Sequence, residues 1–213
     1  AALKSQLASK IANSNLTKSA QRLSSGRRIN SSADDAAGTA VGLKLHAQLQ
    51  GQKAAIKTAS DAISLLKLQE TGTSQFVSII ERIREISVQM ASGSYSDSDR
   101  RLAQLEVDAL KSQLGLVASG TMFNNKQILN ASSTSNYQIQ AGADQDENFT
   151  ISVIEGATLS TNVSSDADVT TQSNALTTMN EMLTHSQTAK KYLATVGASI
   201  NRLSSTINNL STS

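Results

Sequence analysis

The chain has 213 residues, 38% of them hydrophobic and only 3% aromatic, with no Pro, Trp or Cys and a formal net charge of +2. This excludes proline kinks, disulfides and thiolate metal sites, and argues against a thick aromatic core or an enzyme pocket in favour of slender helices packed through Leu, Ile, Val and Ala. No run of about twenty apolar residues exists to span a membrane, and Lys4 and Lys10 interrupt the region where a cleavable signal peptide would need its apolar core.

Charge is unevenly placed. Residues 1–57 hold nine Lys and Arg against Asp34 and Asp35, an excess of +7 that leaves −5 for the rest of the chain. Such a basic third suits an anionic polysaccharide, the acidic surfaces of identical subunits, or simple solvation of a helix face. Nucleic acid is the weakest of these partners, because no aromatic residues interleave with the cations for base stacking.

Taken in order, Leu7, Ile11, Leu16 and Leu23 fall roughly on one helical face. Leu23-Ser24-Ser25-Gly26 reads as a helix end with glycine in the left-handed cap, and Arg27 to Asn30 as a short extended spacer. Ser31 or Ser32 is then expected to N-cap a new helix with Asp34 and Asp35 in its first turn. From Ser32 to about Ser92 the apolar positions, among them Leu66, Phe76, Ile79, Ile83, Ile86 and Met90, keep steps of three, four or seven residues. That predicts one helix of roughly 60 residues, near 90 Å long. Gly93 to Ser98 is a polar break with capping residues, and Asp99 to about Val117 resumes the helical step in the reverse direction.

The period then changes. Tyr137, Ile139 and Ala141 alternate with polar residues, as do Phe149, Ile151 and Val153, which predicts a hairpin over 137–153 around the turn-forming Gly142, Asp144 and Asp146. Residues 155–169, rich in Ser, Thr and Asp, read as an irregular connector with one further strand. From about Thr170 to Leu210 the chain is helical again. Leu193, Val196, Ile200, Leu203, Ile207 and Leu210 form a coiled-coil seam that needs a partner, best supplied by the long helix.

Nothing in the sequence assembles a catalytic site. His46 and His185 stand in no metal-ligand spacing and read as surface helix residues. Asp34 and Asp35 are adjacent on a helix start, so their side chains diverge by about 100° and make no acid/base pair. No GxSxG, P-loop or GxGxxG pattern occurs, and no cofactor is implied.

Four blocks in fixed order carry a resemblance. They are RLSSGRRINSSADDAAG (22–38), ERIREISVQMASGSYSDSDR (81–100), GTMFNNKQIL (120–129) and YQIQAGADQDENFTISV (137–153), followed by the SINRLSSTINNLSTS helix (199–213). Together they resemble bacterial flagellin over nearly the whole chain. The resemblance implies a mainly α, elongated antiparallel long-helix bundle with one β-hairpin. In it, residues 1–31 are a remnant of the inner coiled-coil domain with its joint, and 32–213 a rod-like core with the hairpin and the short variable connector. Flagellins usually continue for about forty residues beyond the NNLS-type helix and begin a few residues earlier. The chain is therefore expected to be a core fragment, monomeric or weakly associated.

The function implied by the resemblance is that of a secreted, extracellular structural subunit of the flagellar filament, stacking head to tail with identical copies for motility. Export chaperone and cap proteins are implied as partners. Arg27, Arg28, Asp34, Asp35, Asp144 and Asp146 are candidate subunit contacts, the acidic hairpin loop facing the basic patch. By the same resemblance, Arg82, Ile86 and Glu106 align with residues that bind the flagellin-sensing Toll-like receptor. Two other readings remain: a flagellin-like adhesin or polysaccharide-binding surface protein, for which Tyr and Trp are scarce, and a hook–filament junction protein, against which DDAAG at 34–38 weighs.

Overall fold

The structure, a computed structural model, describes residues 2–129, 136–142, 147–152 and 154–212. Asp144, Asp146 and Val153 lie outside them. Helices account for 78% of the described residues. In chain order the elements are α1 (Ala2–Ser25), α2 (Ala36–Met90), α3 (Asp97–Gly120), β1 (Met122–Phe123), β2 (Lys126–Gln127), β3 (Tyr137–Gln140), β4 (Asn148–Ile151), α4 (Gly156–Asp166) and α5 (Gln172–Thr212). They divide into two compact units, residues 1–53 and 54–213.

In the first unit no described residue is buried. Leu3, Leu7, Ile11, Leu16 and Leu23 of α1 and Val41, Leu43, Leu45 and Leu49 of α2 are all exposed. The joint follows the expected pattern at Gly26, whose φ of +64° is the left-handed conformation that ends α1. Its next step differs. The N-cap of α2 is Asp35, whose Oδ1 accepts the Gly38 N–H at 2.8 Å, and not Ser31 or Ser32. Residues 31–34 form a turn closed by Asp34 N–H donating to Ser31 O, so neither aspartate lies inside the first helical turn. The tight turn consumes the residues that a direct cap at Ser31 or Ser32 would have spent in the helix.

The second unit is organised by α2. Ala55, Ala59, Ala62, Leu66, Gln69, Thr73, Phe76, Ile80, Ile83, Ser87 and Met90 are all buried and alternate steps of four and three, which is a heptad seam. The two buried hydroxyls cause no desolvation debt, because Thr73 and Ser87 each donate to the carbonyl four residues earlier, at 2.7 and 2.8 Å. α5 covers this seam antiparallel: Gln172 Nε2 donates to Ala91 O at 3.0 Å, while Lys190 meets Glu81 at 2.6 Å. On α5, Ala175, Met182, Ala189, Val196 and Leu203 are buried seven residues apart. The seam expected from sequence is present, with Val196 and Leu203 inside and Leu193, Ile200, Ile207 and Leu210 half-buried.

The reversal between α2 and α3 is held by a buried arginine. Arg100 Nε donates to Met90 O at 2.8 Å, Nη2 to Ser92 O at 2.7 Å and Nη1 to Asp97 Oδ1 at 3.0 Å. The guanidinium thus satisfies carbonyls left free where α2 ends. Ser96 and Asp99 close a capping box at the start of α3, and the two bonds from Ser96 hold the Asp99 carboxyl below its ordinary pKa.

Two elements depart from the sequence reading. Met122 to Gln127 form a second, two-residue hairpin, with Asn124 and Asn125 at φ +48° and +63°, the signature of a type I′ turn. The expected hairpin is also present, pairing Tyr137 with Ile151 and Ile139 with Phe149. Residues 155–169 are not an irregular connector with a strand: they contain helix α4, which buries Gly156, Leu159, Ser160 and Val163 on one face. Its Ser, Thr and Val are weak helix formers, so burial of that face overrides local preference. Gly156 is required there because any side chain would meet the Leu129 carbonyl and the Phe76 ring.

Two outcomes follow. Arg100→Met should cost about 2–3 kcal/mol of stability, since buried carbonyls lose a charged donor; chemical unfolding followed by circular dichroism measures it. Amides of α1 should exchange with deuterium faster than those of residues 55–90, because a helix without buried contacts is marginal in water; slow exchange throughout α1 would contradict this.

Candidate functional site

The exposed surface formed by α2 and α3 is where the sequence-aligned residues meet. Arg82 Nε and Nη2 both donate to Glu106 Oε1, at 3.0 and 2.7 Å, and Nη1 donates to Glu85 Oε2 at 3.2 Å. The Glu106 bonds, then those of Glu85, raise the guanidinium pKa above its ordinary value. Ile86 is different. It is 4% exposed and belongs to the core cluster with Ile83 and Met90, so the apolar member of the trio faces inward and only Arg82 and Glu106 present a surface.

On the α5 side of α2, Glu81 is held by Lys190 and Ser186, with the Lys190 hydrogen bond the largest cause of its lowered pKa. Arg84, whose charge also contributes to that lowering, keeps a buried Nε with no acceptor among the described residues.

The candidate contact residues at the joint are engaged locally. Asp34 lies 3.9 Å from Lys18 and accepts the Asn30 N–H at 3.4 Å, and Asp35 caps α2. Asn30 Nδ2 donates to Gln21 O at 3.0 Å, tying the spacer back to α1. Arg27 and Arg28 are exposed, and their guanidinium groups form no ion pair among the described residues. The hairpin packs on α5 through Arg202, whose guanidinium lies 4.9 Å from the centre of the Phe149 ring.

His46 is exposed, but His185 is not the free surface residue that sequence suggested: its Nε2 lies 2.7 Å from Asp166 Oδ2, joining α5 to the end of α4. Around it, Thr178 Oγ1 accepts the Asp168 N–H at 3.0 Å, and Gln104 of α3 accepts the Val169 N–H at 2.8 Å. Sequence reasoning missed Arg100 and Gln104, which carry no motif. The Ser96–Asp99 capping spacing was the one local signal near them. Among the described residues no cluster of three or more His, Asp or Glu could hold a metal ion.

Residues 1–134 match the family model of the bacterial flagellin N-terminal helical region. The chain belongs to the flagellin family. Flagellin B of Vibrio anguillarum is 40% identical over 136 residues, 64% of this chain and 36% of that protein. The flagellin of Listeria monocytogenes is 40% identical over 122 residues, 57% of this chain and 42% of that protein. The chain therefore spans well under half the length of these curated relatives. In fold it is similar to the crystal structure of Bacillus cereus flagellin, with a TM-score of 0.66 at 24% identity, covering 72% of this chain and 88% of that one.

In this flagellin-family chain the connection between α4 and α5 is held by an ionised Asp166 bonded to His185 and Ser165. Burial works to raise the Asp166 pKa, but the hydrogen bonds of His185 and Ser165 and the charge of His185 outweigh it, leaving the carboxyl below its ordinary value. A depressed folded-state pKa stabilises above the unfolded value, about 3.9, and that stabilisation fades as pH falls through the folded one. Asp166→Asn should therefore lower the urea midpoint at pH 7 and narrow its gap to wild type at strongly acid pH; an equal gap at both would refute the linkage.

Proposed function

We propose that the chain is a structural subunit of the bacterial flagellar filament, secreted and polymerised head to tail outside the cell. Family membership supports this reading, and one observation carries it physically. The helices of the first unit carry nine large apolar side chains, from Leu3 to Leu49, that are all exposed. Helices with so much unpaired apolar surface gain stability from further helices, and identical copies joined by heterologous contacts provide them without limit, as an open helical polymer. Residues 1–31 would then form the inner coiled-coil element, and 32–213 the surrounding helical domain. Arg27 and Arg28, exposed and without an ion pair among the described residues, are the best placed of the candidate contacts. Asp34 and Asp35 would act through the shape of the joint.

Electron microscopy of the full-length protein that carries this chain tests the reading. Long filaments are expected; short ring-like junctions would favour the hook–filament junction reading, and no polymer would favour the adhesin.

The exposed Arg82–Glu106 pair supports a second role, docking of a flagellin-sensing Toll-like receptor, with Ile86 shaping the helix from within and not entering a receptor pocket. An exposed pair of this kind adds little to stability. Arg82→Ala should weaken receptor binding roughly ten- to a hundredfold while leaving the helical signal intact. Unchanged affinity by surface plasmon resonance would sink the assignment and leave the filament reading standing.

A further inference from the structure

Helix α3 carries two apolar faces where packing uses one. The inward face, with Val107, Leu114 and Ala118 buried and Ala103, Leu110 and Val117 half-buried, packs into the core. About 140° around the helix, by its 100° step per residue, lie Leu102, Leu105, Ala109 and Leu116. These are open to solvent: the leucines are 65%, 67% and 70% exposed, and Ala109 is exposed as well. The remaining side chains of that strip, Ser98, Ser112 and Gln113, are uncharged and exposed. The carboxylates nearest its edges are already taken, Glu106 by Arg82 and Asp108 by Lys111 and Gln104. Arg101, exposed at one edge, is the border charge without an ion pair among the described residues, and one cation beside three open leucines is a poor match for an anionic surface or an acidic peptide. The strip fits another apolar helix.

The strip is also complementary to itself. Leu102 and Leu116 lie seven residues on either side of Ala109, and the smallest side chain stands at the centre. A second α3 laid antiparallel, with a two-fold axis at Ala109, sets each Leu102 beside the other copy's Leu116 and brings Leu105 over Ser112 and Gln113. The paired alanines let the helices approach closely. We propose that α3 is a self-association surface on which a second copy of this chain docks antiparallel, α3 on α3, about a two-fold axis at Ala109.

Six leucines that each remove on the order of 100 Å² of apolar surface from water give roughly 600 Å². That is about half of the ~1,200 Å² at which stable interfaces begin. The pair is therefore weak and forms in concentrated chain. Because a two-fold contact closes on itself, it adds no length to a polymer; it belongs to unassembled chains and stands apart from the filament reading.

The absence of cysteine makes the test direct. Ala109→Cys and, as a control on the exposed side of α5, Thr184→Cys are prepared in the 213-residue chain and oxidised with a copper catalyst at high protein concentration. Ala109→Cys should give disulfide-linked dimer on the order of tenfold faster than the control, through its raised effective concentration across the axis. Adding Leu102→Gln and Leu116→Gln to Ala109→Cys should remove that advantage. Both leucines are exposed, so folding is not at stake, and circular dichroism checks it. Equal rates for the two cysteines, or an advantage that survives loss of both leucines, would overturn the proposal. So would rapid self-linking of Leu102→Cys without linking of Ala109→Cys, which would mean a contact of different symmetry.

Discussion

The seam on α2 between Ala55 and Met90 is the constraint on which the second unit depends. A helix with buried positions at alternating steps of four and three must be covered along its whole length, and one neighbouring helix, however long, covers a single flank. α5 lies antiparallel over one flank, α3 returns along another, and the short elements from β1 to α4 fill what remains. Phe76 marks the middle of the arrangement: fully buried, it touches the position of Gly156, where α4 begins. Thr73 and Ser87 bond within this seam, whereas Gln69 donates outward from its Nε2 to Ile128 O at 3.0 Å and keeps a buried Oε1 with no partner among the described residues.

Such a bundle is thin, and its ends and reversals need polar anchors more than apolar ones. Arg100 gathers the carbonyls at the end of α2, Gln104 holds the approach to α5, and Thr178 and Asp168 close the turn from which α5 starts. These anchors are single side chains bonded to backbone. They fix direction at little cost in volume, which suits a chain with 3% aromatic residues and no disulfide. Asp168 illustrates the cost: burial opposes its charge, while the Thr170 and Asn174 hydrogen bonds hold it ionised.

Residues 1–53 obey the opposite rule. Their helices are as regular as those of the second unit, yet none of their apolar side chains is buried. Regular backbone without burial is a marginal state for a solitary helix, and the same leucines become an asset once further helices are present. On the filament reading proposed above, surface left open in this way releases its energy of burial in assembly and not in folding.

Sequence alone determined what depends on neighbours a few residues apart. Freedom from proline and an apolar period near 3.5 were enough for the long α2 and α5, Gly26 for the end of α1, the polar break at 93–98 for the separation of α3 from α2, though α3 starts at Asp97 and not Asp99, and the alternation at 137–140 and 148–151 for the hairpin. Only tertiary structure decided which face of a segment would be covered. Ile86 is a turn beyond Arg82 in either description, but its burial follows from where the bundle lies against α2. α4 is a helix because its small face has a core to enter, although its residues favour no helix in isolation. The Asn124–Asn125 turn was visible as two residues tolerant of positive φ, without any sign that strands would flank it. Asp35 rather than a serine caps α2 because residues 31–34 are taken up by a turn, closed by Asp34 N–H on Ser31 O, whose Asp34 side chain meets Lys18 and Asn30. Period and backbone preference are local quantities, whereas burial belongs to the assembled chain.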